Sequence, residues 1–197
     1  MMLVEETSVP SEALPVAEFK AHLRLGSGFS DDTLQDGVLE SFLRAAMAAI
    51  EARTGKVLIT RTFYWSLMMW RTPQGQSLPI GPVVEIQSVT LADRLGEEVV
   101  VAPSAYRLIP DQQRPQLRPV AGDLPRIPKH GQVGIRMVCG FGAHWSDIPA
   151  DLQQAVLLLG AHYYEYRDET ALSGGCMPFG VTSLIERYRP VRMGVSS

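Results

Sequence analysis

The spacing of apolar residues changes period twice along this chain, and that limits its fold more than any other feature. Up to Ala52 they recur three and four positions apart. From Val57 to Cys139 they fall in short β-branched and aromatic runs, and from Pro149 helical spacing returns. A 3.6-residue period buries one stripe of a helix, whereas short alternating runs suit strands. The order helices, strands, helices predicts an α+β fold. Its helical core is made by the N- and C-terminal helices, with an inserted, mainly antiparallel β lobe and an extended C-terminal tail. The expected boundaries are a flexible arm over 1–13, a helical core over 14–55 and 149–187, a β-rich lobe over 56–148 and a docking tail over 188–197.

Val16, Phe19 and Leu23 share one face of a first short helix, with Pro15 tolerated in its first turn. Ser30, Asp31 and Asp32 suit the start of a second. That helix carries two apolar stripes: Leu34, Val38, Phe42, Ala45, Ala49 and Ala52 form one, and Leu39, Leu43, Met47 and Ile50 the other. A helix apolar on two faces is either central in a core or shared between a core and a neighbour. Leu39, Leu43 and Met47 are therefore candidates for a subunit interface. Gly55 is placed to end the helix.

Ser146, Pro149 and Asp151 signal a helix start, after which Leu152, Ala155, Val156, Leu159, Tyr163 and Tyr166 form a stripe. Burying it contributes about 1.5–3 kcal/mol per large side chain before entropy is subtracted. Leu157, Leu158 and Tyr164 lie off the stripe and are further interface candidates. The run Ser173 to Pro178 breaks the helix, and a short one follows over about 179–187.

In the middle, residues 57–70, Val83 to Leu91, Glu98 to Val101, Tyr106 to Ile109 and Gln132 to Cys139 read as strands. Residues 110–131 hold five prolines and read as a long loop.

The 197 residues are 46% hydrophobic and carry a formal charge of −3, without the basic face of a dedicated nucleic-acid binder. Two cysteines, Cys139 and Cys176, make no disulfide framework. The acidic N-terminus lacks the apolar run of a signal peptide, and no apolar stretch approaches the ~20 residues of a membrane span. These features predict a soluble protein made in the cytoplasm.

Chemistry-bearing patterns are weak. Thr54, Gly55 and Lys56 echo a phosphate loop, but Ile50 stands where its first glycine belongs and Val57 where Ser or Thr belongs. A helix C-cap is the better account. His22, His130, His144, His162, Cys139 and Cys176 show no metal-ligand spacing. His162 and Glu165 have the three-residue spacing of a di-iron helix but lack its repeat. Cys139, His144 and Asp147 supply the residue types of a thiol hydrolase without a flanking signature. Gly140 to Gly142 reads as a strand-to-helix turn. Phe63, Tyr64, Trp65 and Trp70 have too few cations among them for a nucleic-acid platform. No catalytic residue, cofactor or metal is expected.

The ordered series PVAEFKAHLRL, DDTLQDGVLESFLRAAMAAIEARTGKVL, SLPIGPVVEIQSVTLAD, SAYRLIP, VCGFGAHWSDIPADLQQAVLLLGAHYYEYRDE and PFGVTSLIERYRPVR resembles the head–tail connector (adaptor) proteins of long-tailed phages. It is most similar to the adaptor of phage-derived gene transfer agents. The resemblance implies a non-enzymatic structural protein made in the bacterial cytoplasm and assembled in the neck of a phage-like particle. There it implies a ring, usually a dodecamer, beneath the portal protein. Such a ring extends the DNA channel and offers a surface to a stopper or other neck protein, and DNA passes without specific binding. The resemblance also implies that the C-terminal segment reaches the portal, through Arg187, Tyr188, Arg189, Pro190, Val191 and Arg192. The composition fits an extended peptide, since Pro190 blocks helix and the arginines can pair with acidic groups. Two alternatives remain: another neck component such as a stopper or tail terminator, which the long flanking helices disfavour, or a thiol hydrolase using Cys139.

Overall fold

A computed structural model describes residues 1–25, 32–166 and 177–189. The chain divides into two compact units, Met1–Val9 with Ile59–Phe141 and Pro10–Leu58 with Gly142–Ser197.

The helical unit holds α1 (Val16–His22), α2 (Asp32–Thr54), α3 (Ala150–Glu165) and α4 (Phe179–Ile185). Its core takes Phe19 from α1, Leu39, Leu43, Ala46, Met47 and Ile50 from α2, Leu152, Ala155, Val156 and Leu159 from α3, and Val181 and Ile185 from α4. Gly160 lets α1 approach α3, because a Cβ there would stand 3.1 Å from the Phe19 ring. At the end of α2 the Thr54 hydroxyl donates to the Ile50 carbonyl at 2.8 Å, and Gly55 turns left-handed at φ 65° with its N–H on the Glu51 carbonyl. The Glu51 carboxylate accepts the Leu58 N–H at 2.8 Å. Thr54 to Lys56 is thus a helix cap, and Lys56 is buried.

The other unit is built of strands. Its five-stranded sheet has the order β1 (Met2–Glu5), β2 (Arg61–Leu67), β8 (Gln132–Cys139), β4 (Val83–Ala92) and β5 (Glu98–Val100), and every neighbour is antiparallel. A three-stranded sheet has the order β3 (Gln76–Ser77), β7 (Gln116–Pro119) and β6 (Tyr106–Ile109). Leu3, Trp65, Ile135 and Val89 are successive partners across the large sheet, and the last three are buried. That row marks the core face. On the opposite face the Tyr64 ring covers Gly134, where a Cβ would collide with it.

Two expectations change here. The predicted flexible arm contains β1, which lies along β2 with Leu3 opposite Trp65. Acidic side chains fasten it: Arg61 Nη1 reaches Glu5 at 2.9 Å, and the Arg136 guanidinium grips Glu6 with two bonds of 2.7 and 2.9 Å. The expected loop over 110–131 contains β7, whose Leu117 is fully buried. Pro115 and Pro119 argue against a strand, but the four residues from Gln116 to Pro119 suffice to pair with β6.

The two glycines of the strand-to-helix turn are required by different neighbours. Gly140 has φ 145°, and a Cβ there would collide with the Thr60 backbone. A Cβ on Gly142 would collide with Asp147. Asp147 itself closes the turn before α3, accepting the His144 N–H at 2.9 Å.

Gly140→Ala should lower unfolding free energy by about 1–3 kcal/mol, read as a shift in the urea midpoint at unchanged m-value. The hydrogen bond from Arg136 pulls the Glu6 pKa below its ordinary 4.5. A carboxylate with a depressed folded pKa stabilises above its unfolded value and loses that contribution as pH falls through the folded one. Exchange of the Val4 and Glu6 amides, corrected for intrinsic rates, should therefore accelerate below about pH 4.5 more than exchange within β8 does. Glu6→Gln should abolish the difference.

Candidate functional site

The C-terminal segment begins as part of the core. After α4 the chain makes one 3-10 turn, Glu186–Tyr188, and Tyr188 is buried. The helical period explains this, because Val181, Ile185 and Tyr188 fall on one face and Phe179 on the opposite one. The Tyr188 hydroxyl donates to Asp151 Oδ1 at 2.8 Å, and Arg187 Nη2 lies 2.8 Å from Asp151 Oδ2. Arg187 also bonds the Tyr188 hydroxyl, and its guanidinium carbon lies 4.7 Å from the centre of that ring. Asp151 sits in the first turn of α3, where the helix dipole favours its charge. Burial, more than any other cause, pushes the Tyr188 phenol above its ordinary value, and the bond to Tyr188 does most to raise Arg187.

Among the six residues expected in the docking tail, Arg187 and Tyr188 are thus held on α3. Arg189 is exposed, with a 3.2 Å ion pair to Glu186. Pro190, Val191 and Arg192 lie outside the described residues. The predicted tail boundary at 188 moves outward, because Tyr188 fills the core.

The interface candidates separate in the same way. Leu39, Leu43 and Met47 are buried within the chain's own helical unit and leave no surface for a neighbour. This stripe of α2 faces the core, because its bulkier Leu, Met and Ile side chains remove more apolar area from water than alanines do. Val38 on the other stripe is exposed, and Phe42 meets the edge of Tyr164 at 6.0 Å between ring centres. Leu157, Leu158 and Tyr164 are half-buried and keep surface to offer.

Exposed apolar residues that sequence reasoning misses lie elsewhere. Phe179, at the first position of α4, is 87% exposed. Its place between Pro178 and Gly180, off the stripe of Val181 and Ile185, is the available signal. Met68 and Met69 are exposed beside a cleft of about 460 Å³ also lined by Trp70, Pro73, Leu124 and Ile127. Trp70 is fixed there by its indole N–H on the Pro125 carbonyl at 2.7 Å. At the ends of the five-stranded sheet, Val99 and Val100 of β5 and Met2, Leu3 and Val4 of β1 are exposed.

The residues considered for catalysis do not make a reactive centre. Cys139 is buried in β8, and desolvation pushes its thiol up to about 12 against a weaker pull from Arg61. A nucleophilic cysteine needs access and a lowered value. The Asp147 carboxylate is occupied by the His144 backbone. Cys176 lies outside the described residues. Among the described residues no cluster of three or more potential ligands could hold a metal, and no helix is long and apolar enough to cross a membrane. Phe63 and Trp65 are core residues and Tyr64 lies against Arg136, so the aromatic run is not a stacking platform.

Removing the Tyr188 hydroxyl should cost about 0.5–1.5 kcal/mol. The check is the urea midpoint of Tyr188→Phe against wild type, and the loss should shrink in an Asp151→Asn background, where the acceptor is already weakened.

A scan against protein-family models and a search of curated proteins each found no match. Solved structures do match from end to end. A chain in a structure described as the neck of an empty GTA particle, computed with C6 symmetry, is 52% identical. The match covers 99% of this chain and 98% of that one, with a TM-score of 0.90. A chain in the virion of a native gene transfer agent (GTA) particle is 50% identical over the same shares, at a TM-score of 0.86. A third, from the neck of a native GTA particle computed with C12 symmetry, is 48% identical over 99% and 98% at 0.85.

Proposed function

Since the chain belongs to the family of structural neck proteins of gene transfer agent particles, we propose that it is the head–tail adaptor. In this reading it forms a ring, twelve copies in the particle, under the portal protein. The ring continues the DNA channel and presents its far side to a stopper or other neck protein. The observation that carries the proposal is the end-to-end likeness, at about half identity, to chains in neck structures computed with C6 and C12 symmetry. Similarity that spans both units favours the same place in the assembly over reuse of one module.

The chain's own surface supports this reading. A ring needs two different, complementary patches on each subunit. Exposed apolar residues occur on the helical unit at Val38 and Phe179 and on the strand unit at Met68, Met69, Val99 and Val100. DNA slides through such a channel without specific contacts, and a formal charge of −3 suits that role, since clustered cations would retain phosphates. Arg189, Pro190, Val191 and Arg192 dock on the portal, with Tyr188 and Arg187 as their fixed root on α3.

Where the root ends determines the test. Truncation after Glu186 would remove buried Tyr188 and confuse folding with docking. Truncation after Arg189 keeps that side chain. The shortened protein should melt within a few degrees of wild type, whereas particles carrying it should lose attachment of this chain to the portal, seen by cryo-EM and by its absence from purified heads. Normal attachment would remove the portal role of the tail. Density for the chain at the far end of the neck would place it as a stopper instead.

A further inference from the structure

The two edges of the five-stranded sheet are matched to each other. Sheet order puts β1 at one end and β5 at the other, with β2, β8 and β4 between them. Each step is antiparallel, so β1 and β5 run in the same direction. Among the described residues neither outer edge has a pairing strand.

The hydrogen bonds along each edge show which backbone groups point outward. In an antiparallel ladder, residues that bond the neighbour alternate with residues whose N–H and C=O face away. The bonds from Val101 N–H to the Val89 carbonyl and from Asp93 N–H to the Glu97 carbonyl put Val99 in the inward class. Glu98 and Val100 therefore face outward. On β1, the bond from Glu6 N–H to the Thr62 carbonyl puts Met2 and Val4 inward, which leaves Leu3 and Glu5 facing outward.

A parallel ladder needs an outward residue on one strand to bond the two residues that flank its partner. Leu3 opposite Val99 meets that need. In that register the Leu3 N–H would reach the Glu98 carbonyl, the Val100 N–H the Leu3 carbonyl, and the Glu5 N–H the Val100 carbonyl. The faces agree as well. Leu3 lies in the row of Trp65, Ile135 and Val89. Val99 shares the face of Val101, which bonds Val89 in that row. A slip of one residue would break both the bonding phase and the face.

Side chains complete the match. Val99 and Val100 are 65% and 68% exposed, and Leu3 and Val4 are 39% and 40% exposed, unusual for strand edges left in water. In this register the acids lie at opposite ends of the junction, Glu98 before it on β5 and Glu5 on the last paired position of β1, where Arg61 already neutralises it.

We propose that β1 of one copy pairs in parallel with β5 of the next, Leu3 opposite Val99 and Val4 opposite Val100, so that the sheets of neighbouring copies join in the ring. The inference rests on the proposal that the protein works as a ring. A rotation that relates neighbours in a ring keeps strand direction when edges meet side by side, which is why the parallel sense of β1 and β5 is the one required. The contact is head-to-tail, with a different edge on each side.

Cross-linking in assembled particles tests it. Neighbouring strands lie about 4.8 Å apart, within the ~4.4–6.8 Å that a disulfide spans between Cα atoms. In a Cys176→Ser background, Val4→Cys with Val100→Cys should give covalent multimers beyond the dimer on a non-reducing gel after a mild thiol oxidant. Either substitution alone, or Val4→Cys with Val99→Cys, whose side chains point to opposite faces, should stay monomeric. A second variant avoids any dependence on oxidation. The Val100 N–H faces outward, so Val100→Pro takes no bond from the subunit's own sheet. Val100→Pro should melt like wild type and fail to enter rings. Rings seen in micrographs together with monomer from the Val4–Val100 pair, equal cross-linking by the Val4–Val99 pair, or normal rings from Val100→Pro would each overturn the junction while leaving the adaptor reading intact. A wild-type neck without a ring of this chain would overturn both.

Discussion

Strand β8 is hydrogen-bonded on both sides, to β2 and to β4, and the strand unit cannot exist without that insertion. β2 and β4 are separated by the turn and strand around residues 68–82, yet they do not pair; the chain must travel to residue 132 before the gap between them is filled. Four of its side chains, Val133, Ile135, Met137 and Cys139, are wholly buried. A pairing of this sequence separation closes a long loop, whose entropy must be offset before the contacts form. The β1 strand lies still further out: Arg136 on β8 holds Glu6 across β2, so the N-terminal strand gains its second fastening only after β8 is in place.

Gly140 and Gly142 turn the chain in a space that admits no side chain, and Asp147 closes the turn before α3. The first turn of α3 then carries Asp151, to which the C-terminal segment returns through Tyr188 and Arg187. One carboxylate in the first turn of α3 thus holds both Tyr188 and Arg187. This arrangement divides a segment that composition treats as one, since Tyr188 is anchored on α3 and Arg189 is exposed.

Much of this is legible in the sequence. The change of period near Gly55 and again at Pro149 identifies helices and strands, and the Thr54 to Lys56 cap follows from its position alone. What period cannot give is which of two apolar stripes faces inward. On α2 the structure turns the expected interface candidates Leu39, Leu43 and Met47 inward, and together with Ile50 they outweigh a stripe rich in alanine. β1 and β7 escape a reading by period because each is four residues long and depends on partners far away in sequence, Glu6 on Arg136 and Leu117 on the lobe's interior. The arginine neighbours of Tyr188 point to a tail, although its spacing from Val181 and Ile185 already places it on their face.

Burial of Cys139 has a consequence for chemistry outside the protein. Oxidation and disulfide exchange begin from an accessible thiolate. In β8 the thiol has no access to solvent, and its value near 12 keeps it protonated at neutral pH. Between reducing and oxidising surroundings, the interior of this sheet therefore keeps the same covalent state. Its strands are held by pairing and packing that no change of redox potential alters.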